Sequence, residues 1–509
     1  MQVTARSAAA TPSQRGGLMN QGSCAAHGDV SPLAGADNPA MNTENTPHGF
    51  AAVPLSEAMQ ANLQQLAWLE MTPIQAASLP LTLQGRDVIA QASTGSGKTV
   101  AFALPLVHGL RDDAAGAVQA LVLCPTRELA DQVAQSLRLV ARARPNTKVI
   151  TLCGGVPLRG QLQSLAYGAD VVVGTPGRIQ DHLDRGSLSL SGVQCAVLDE
   201  ADRMLDMGFV DDISAVLAHC PSERQTLLFS ATYPDGIAAL AKRFMREPQM
   251  VQVASQHGAE KIRQLMVEVD ERERLHAVGQ VLAHFQPSSS LAFCNTKQQC
   301  RDLVAVLQAQ GVQALALYGD LDQRERDQVL IQFANRSCSV LVATDVAARG
   351  LDVSDIDAVI NVDVTPDPEV HVHRVGRTGR AAAQGLAVSL VSMDEMGYVG
   401  RIEEMQGRET EWVALSALSP APGGVPLAPM VTLQLAGGRK EKIRPGDVMG
   451  ALGAEAGLTR DQVGKININD FATYVAVARA HAAHALAKLN AGKIKGKKVK
   501  ARYLDDAER

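Results

Sequence analysis

The chain of 509 residues is 46% apolar, 20% charged and 3% aromatic, with 48 Lys/Arg against 53 Asp/Glu and a formal charge of −5. That length implies several domains, each able to bury its own core, and the apolar fraction excludes global disorder, a collagen-like chain and a disulfide scaffold. The near-neutral average argues against a nucleic-acid partner but hides an asymmetry: residues 431–509 hold 15 Lys/Arg and 8 Asp/Glu, net +7, which leaves −12 for the rest.

Residues 1–47 are rich in Ala, Ser, Thr, Asn, Gly and Pro, with no acidic residue before Asp29. Disorder is the expected state. A true start at Met19 or Met41 is the alternative, and a transit peptide ranks below both, because only Arg6 and Arg15 supply charge before Asp29.

From 48 to 255, β-branched runs at 87–91, 120–124, 148–152, 169–174, 193–198 and 225–229 alternate with helical patterns. This predicts a parallel sheet covered by helices on both faces. After a linker at 256–262 the pattern restarts near Ile262, and a second α/β domain over 263–415 has strand candidates at 291–294, 314–318, 339–343, 358–362 and 385–391.

The uncharged run 412–438 is long enough to span a bilayer, but four prolines and two Gly-Gly pairs interrupt it, so 416–430 reads as a Pro/Gly linker and no membrane partner is expected. Residues 431–509 read as strand, helix, strand, strand, helix, strand, the βαββαβ order of an RNA-recognition-like α+β fold. None of the eight cysteines forms a CxxC pair, so buried free thiols in a reducing, cytoplasmic setting are expected.

The first chemical signal is Ala92-Ser-Thr-Gly-Ser-Gly-Lys-Thr99, between a strand and a helix. Gly95, Ser96 and Gly97 let backbone N–H groups approach a phosphate at a helix N-terminus, Lys98 can reach the outer phosphates, and Thr99 can bind Mg²⁺. The second is Val197-Leu-Asp-Glu-Ala-Asp202, at the end of an apolar strand. There Asp199 can hold Mg²⁺ and Glu200 can orient and deprotonate a water. A mere Gly/Ser turn is an improbable reading of the first, with a strand before it and a helix after; the second alone is weak, but with a P-loop about a hundred residues upstream it is strong, and together they read as a nucleotide site.

With these motifs the chain, from Phe50 to about residue 400, resembles the DEAD-box RNA helicases. The resemblance implies two tandem RecA-like parallel-sheet domains and an RNA-dependent ATPase that parts short duplexes. By it, Gln75 in Thr72-Pro-Ile-Gln75 reads the adenine edge and Phe50 stacks on the base. Arg127 (in Pro125-Thr-Arg-Glu-Leu129), Gly155, Thr175 and Arg178 (in Thr175-Pro-Gly-Arg178) hold the RNA backbone, while Ser230 and Thr232 couple hydrolysis to strand separation. In the second domain Arg326 and Thr344 are implied to touch RNA phosphates and Asp352 the ribose. Arg377 and Arg380 of His373-Arg-Val-Gly-Arg-Thr-Gly-Arg380 are implied to be arginine fingers, and His373 to link the domains. His371 stands where the family usually has Tyr, for which a change in local packing is expected.

The tail, in stretches such as GRKEKIRPGDVMGAL and LNAGKIKGKKVKARYL, resembles the RNA-binding domain of the DbpA-type DEAD-box proteins. This implies a hairpin of 23S ribosomal RNA near the peptidyl-transferase centre as partner, action on pre-large-subunit particles in ribosome assembly, and a monomer. Candidate contacts are Lys440, Lys442, Arg444, Lys465, Lys493, Lys495, Lys497 and Tyr474, basic loops counting for more than stacking on the sheet. His481 and His484 read as surface histidines. An ATP-gated RNA clamp that does not unwind uses the same motifs and stays open; a DNA translocase is disfavoured by Thr175-Pro-Gly-Arg178, Ser230-Ala-Thr232 and the tail.

Overall fold

The computed structural model describes residues 49–504 except 93–94, 115, 234, 254–261, 349–355, 380–383 and 426. The first sheet contains β1 (Val88–Gln91), β2 (Ala120–Leu123), β3 (Val149–Leu152), β4 (Val171–Gly174), β5 (Cys195–Asp199), β6 (Gln225–Ser230) and β7 (Gln249–Gln252). The second contains β8 (Ile262–Glu268), β9 (Ser290–Phe293), β10 (Ala314–Leu317), β11 (Val340–Ala343), β12 (Ala358–Asn361), β13 (Gly385–Val391) and β14 (Glu411–Ala414).

Both sheets are parallel throughout. Their orders, β3-β4-β2-β5-β6-β1-β7 and β10-β11-β9-β12-β13-β8-β14, are the same path traced twice. Strands β2, β4, β9, β11 and β12 are buried along their whole length, as strands covered by helices on both faces must be. Separate apolar clusters fill the two faces of each sheet. The helices start where the sequence supplies caps: the hydroxyls of Thr126 and Thr296 accept from the N–H groups of Leu129 and Gln299, and Pro73, Pro176 and Pro368 occupy first-turn positions.

The tail has an antiparallel sheet of β15 (Met430–Leu435), β16 (Val463–Ile468), β17 (Thr473–Ala478) and β18 (Ala501–Tyr503), in the order β16-β17-β15-β18. Helices Pro445–Ala456 and Ala482–Ala491 pack on one face of it. This is the expected βαββαβ order. Strands β7, β8 and β14 add to those expected from the sequence, and β8 takes in Ile262, the last residue assigned to the linker. β7 and β14 are edge strands; β14 runs into the uncharged stretch that begins at Trp412, and Trp412 and Val413 pair with Met266 and Val267 of β8.

The segment after β14 is bonded to the second domain along its length. Leu418 is buried in that domain's core, the Ala421 N–H donates to the Ala283 carbonyl at 2.9 Å, and Gln286 Nε2 donates to the carbonyls of Pro422 and Gly424 at 3.1 and 2.6 Å. Further on, the Ala428 N–H donates to Gln313 Oε1 at 2.8 Å. At the start of the tail, Thr432 Oγ1 accepts from Asn335 Nδ2 at 3.2 Å and lies 2.7 Å from Ser337 Oγ, all three residues being buried. A Pro/Gly composition that reads as a loose tether is here a strap, because proline and glycine cost little side-chain ordering entropy and their carbonyls stay free to accept.

Thr432→Val keeps the side-chain shape but strips Asn335 and Ser337 of a buried partner, a cost of about 1–3 kcal/mol. Faster hydrogen exchange at the Ala428 and Met430 amides is expected, with Val475 and Val477 in the tail core unchanged.

Candidate functional site

Apart from Phe50 and Thr72–Gln75, which precede β1, the motifs of the first domain leave the carboxyl ends of strands. β1 runs into the glycine-rich loop, whose Ala92 N–H donates to the Ser230 carbonyl at the end of β6. Gly95 and Gly97 have φ of 82° and 93°, in the left-handed region. A Cβ on Gly97 would fall 2.6 Å from Gln75 Nε2, which donates to the Gly97 carbonyl at 3.0 Å. The loop and Gln75 are thus locked together, and Gln75, Phe50 and Thr72 line a cavity of about 490 Å³, room for a purine. Lys98 is buried at the first turn of helix Lys98–His108, with Nζ donating to the Ala92 carbonyl at 2.8 Å, so its ammonium points back into the loop. Thr99 follows it on the same turn.

β5 ends on Asp199, and Glu200 then takes φ 53° and ψ 52° before helix Ala201–Asp206. A left-handed glutamate costs about 1–2 kcal/mol, strain of the kind that gathers at active sites. Burial and the Glu200 carboxylate push Asp199 up to about 7 against the pull of Lys98. Glu200 Oε2 lies 3.1 Å from Arg203 Nη1. The oxygen donors Asp199 and Thr99, beside the loop that cradles phosphate, are the hard ligand set that Mg²⁺ prefers.

β6 lies between β5 and β1. From its end the N–H groups of Ala231 and Thr232 and the Thr232 hydroxyl all donate to Asp202 Oδ2 at 3.0–3.1 Å. Burial opposes the charge on Asp202, but Lys98, His373 and the donors of Ser230 and Thr232 hold its carboxyl below the usual range. Glu369 of the second domain faces Thr232; burial, the larger effect, raises its pKa, and Thr232 draws it down. Burial, with Arg203 next, pushes His373 down to about 4, so a neutral imidazole sits among Arg203, Asp202 and Glu200. Arg377 is 5% exposed and lines the cleft between the domains with Arg203, Asp206 and His373. Arg374 holds the second domain's own loops together, forming a bidentate pair with Asp345 at 2.6 and 2.7 Å and donating to the Asp363 carbonyl.

A second convergence lies along the same cleft. Arg127 Nη2 is 3.4 Å from Asp327 Oδ2, and Arg326 Nε donates to Glu128 Oε1 at 2.6 Å. These residues occupy the first turns of helices Arg127–Val140 and Gln323–Ala334, one from each domain. A Cβ on Gly155 (φ 74°) would stand 3.5 Å from Arg127 Nη1 and 3.6 Å from Gln323 Oε1. Thr175 precedes helix Pro176–Asp184, Arg178 donates to Gln161 Oε1 at 2.9 Å, and Thr344 closes β11 ahead of helix Asp345–Ala348. Two helix N-termini and these arginines make an anion-favouring groove.

Asp352 and Arg380 lie outside the described residues. In the tail Lys440, Lys442, Arg444, Lys465, Lys493, Lys495 and Lys497 are exposed, whereas Tyr474 is 4% exposed, on the sheet face turned away from the tail core. Sequence reasoning missed Glu128, Arg203, Asp327 and Glu369, whose partners are remote or on the other domain and leave no local pattern. No group of three or more metal-ligating His, Cys, Asp or Glu occurs among the described residues, and none of their helices is long and apolar enough to cross a membrane.

Residues 72–240 match the DEAD/DEAH box helicase family, 273–382 the helicase conserved C-terminal domain, and 432–503 the DbpA RNA binding domain. The chain is 48% identical over 452 residues to the ATP-dependent RNA helicase DbpA of Escherichia coli (strain K12), covering 88% of this chain and 98% of that protein. It is 44% identical over 363 residues to the DEAD-box ATP-dependent RNA helicase CshA of Geobacillus kaustophilus (strain HTA426), covering 71% and 77%. Among solved structures, S. cerevisiae Dbp5 bound to RNA and ADP BeF3 is similar with a TM-score of 0.65 and 28% identity, over 72% of this chain and 96% of that one.

His371 is 1% exposed, with Nε2 3.3 Å from Gln264 Oε1; burial, then Arg374, pushes its pKa from 6.5 to about 4. The unfolded imidazole takes up its proton first, so this group's contribution is intact above about 6.5 and stability is lost as pH falls toward 4. His371→Tyr should flatten the pH dependence of the unfolding free energy, obtained from urea titrations, in that window by up to about 1.4 kcal/mol per pH unit.

Proposed function

The chain belongs to the DEAD-box ATP-dependent RNA helicases, and from that premise we propose that it hydrolyses ATP to part short duplexes of 23S ribosomal RNA during large-subunit assembly. In this reading it works as a cytoplasmic monomer, held by its tail on a hairpin near the peptidyl-transferase centre. The observation that carries the reading is the presence, on one chain, of the two-domain ATPase cleft and a basic tail that matches the DbpA RNA binding domain.

Phe50 and Gln75 receive the adenine, the N–H groups of Gly95–Lys98 receive the phosphates, and Lys98 Nζ leaves the Ala92 carbonyl for the outer phosphate oxygens. Thr99 and Asp199 would hold Mg²⁺, which would supply charge neutralisation at the phosphates. Glu200 accepts a proton from the attacking water as the new O–Pγ bond forms and the bond to the β-phosphate oxygen breaks, leaving ADP and phosphate. Arg377, with Arg380 by family resemblance, faces the transferring phosphoryl group from the second domain. Closure is needed for the reaction, because neither domain alone surrounds that group.

RNA phosphates that bridge the groove between Arg127, Gly155, Thr175 and Arg178 on one side and Arg326 and Thr344 on the other stabilise the closed state. RNA binding and hydrolysis then favour each other by differential affinity. The path from groove to ATP site runs through Ser230, Thr232 and Asp202 on the first domain and Glu369 and His373 on the second. Contacts to phosphate carry no sequence information, so the choice of RNA falls to the tail.

Glu200→Gln is expected to keep ATP and RNA binding while steady-state turnover falls by at least about 100-fold; an active variant refutes the general-base role. Removing 431–509 should abolish the preference for the ribosomal hairpin over unrelated RNA, read as the ratio of apparent RNA affinities in the ATPase assay, and retain RNA dependence. A preference that survives places specificity in the two-domain core.

A further inference from the structure

Leu433, Leu435, Val475 and Val477 point into the tail core, so Thr432, Gln434 and Tyr474 share the opposite face of the sheet. On that face Thr432 bonds to Asn335 and Ser337 of the second domain. A base cannot stack there while the tail is docked. The exposed aromatic side chain of the tail is Phe471, at 71%, whereas Tyr503 is half-buried against the tail core.

Phe471 stands at the tip of the hairpin between β16 and β17. Strand register runs to Ile468 opposite Thr473, and the Asn469 N–H donates to the Ala472 carbonyl at 2.8 Å, which leaves Asp470 and Phe471 as a two-residue turn. Such turns favour Gly, Asn and Asp. A phenylalanine there does nothing for the turn and leaves a large apolar ring in water.

The turn is held rigidly. Arg439 and Lys440 N–H groups donate to the Asn469 and Asp470 carbonyls at 2.9 and 3.0 Å, and Thr473 Oγ1 donates to the Gly437 carbonyl at 2.7 Å. A Cβ on Gly438 would fall 2.1 Å from the Asn469 carbonyl oxygen, so glycine is what permits the approach. This clamp sets the Lys440 ammonium 5.7 Å from the centroid of the Phe471 ring. Lys495 Nζ donates to the Lys442 carbonyl at 2.9 Å, which ties the second basic loop to the first.

We propose that Phe471 is a stacking platform for an unpaired RNA base, with Lys440 taking the adjacent phosphate. An exposed ring beside the Lys440 ammonium, on a loop that also carries the exposed cations Arg439 and Lys442, matches a single strand, which presents bases and phosphates at regular spacing along its length. The platform is ordered before RNA arrives, so little entropy is lost on binding. The proposal deepens the reading of the tail as an RNA-binding domain and does not depend on which ribosomal sequence it prefers.

The test uses the full chain and two fluorescein-labelled RNA hairpins, one of 23S sequence and one unrelated, each with a single-stranded extension. Phe471→Ala should weaken binding to the preferred hairpin by about 5- to 150-fold, the loss of one base–aromatic stack, without changing the slope of log affinity against log salt. Lys440→Ala should weaken binding and lower that slope by about one. Phe471→Leu should behave like the alanine variant, and Phe471→Trp should keep affinity and show fluorescence quenching on RNA addition beyond that of Trp68 and Trp412. Affinity within about twofold of wild type in Phe471→Ala, or full affinity in Phe471→Leu, overturns the proposal and leaves the ring to a protein partner. Equal affinity of the wild type for both hairpins instead defeats the ribosomal-target reading, while the Phe471 comparison still decides the stacking on either RNA.

Discussion

A parallel sheet sends the loops that follow its strands out at one edge, and that constraint organises the whole molecule. The nucleotide loop follows β1, Asp199 and Glu200 close β5, Ser230 and Thr232 close β6, and Arg127 and Thr175 follow β2 and β4. Each segment is short and polar, yet each is positioned by a strand anchored in the core, so chemistry on loops inherits the precision of the sheet. The sheet order does the rest: β6 lies between β5 and β1, which puts Asp202, Ser230 and Thr232 between the acid pair and the phosphate loop. A hydroxyl and two amides can then bind one carboxylate oxygen without any long-range adjustment.

The second domain repeats the same strand path, but its loops have been given other work. Where the first domain has a phosphate loop, the second presents the end of β8, and its cations come from helix Pro368–Val375 and the residues after it. The two sets meet as complementary halves: His373 is neutral among Arg203, Asp202 and Glu200, and Arg326 and Arg127 face Glu128 and Asp327. A guanidinium matched to a carboxylate is also matched to a phosphate. The cross-cleft pairs therefore mark where an anionic backbone could compete, and on the proposed reading closure and RNA binding would draw on the same groups.

How much of this is legible in the sequence depends on whether a residue's partner is local. The phosphate loop, Asp199–Glu200 and the strands that carry them can be read because spacing, glycine placement and apolar runs act over a few residues. The edge strands β7 and β14 have exposed positions and mixed composition, and only their pairing with β1 and β8 makes them strands. Glu369 and Asp327 look like ordinary surface acids until the two domains are placed together. Tyr474 falls at an alternating position of a strand, as a stacking residue would, but the register cannot say what covers that face. Phe471 is silent for the opposite reason: a lone aromatic beside Asp470 has no periodicity, and its meaning comes from the clamp made by Gly437, Gly438 and Lys440.

The docked tail also changes the account of charge. A −12 body and a +7 tail joined by a loose tether would make the tail a sampler of nearby RNA, with an effective concentration set by tether length. Here the strap 416–430 is bonded to the second domain and β15 abuts Asn335 and Ser337, so the basic loops stand in a fixed relation to the domain that carries Arg326 and Thr344. The distance between those loops and the cleft is thus a property of the fold. On the proposed reading, RNA held by the loops would enter the cleft along particular paths, and attraction supplied by the +7 tail would be converted into orientation beside a −12 body that repels RNA by net charge.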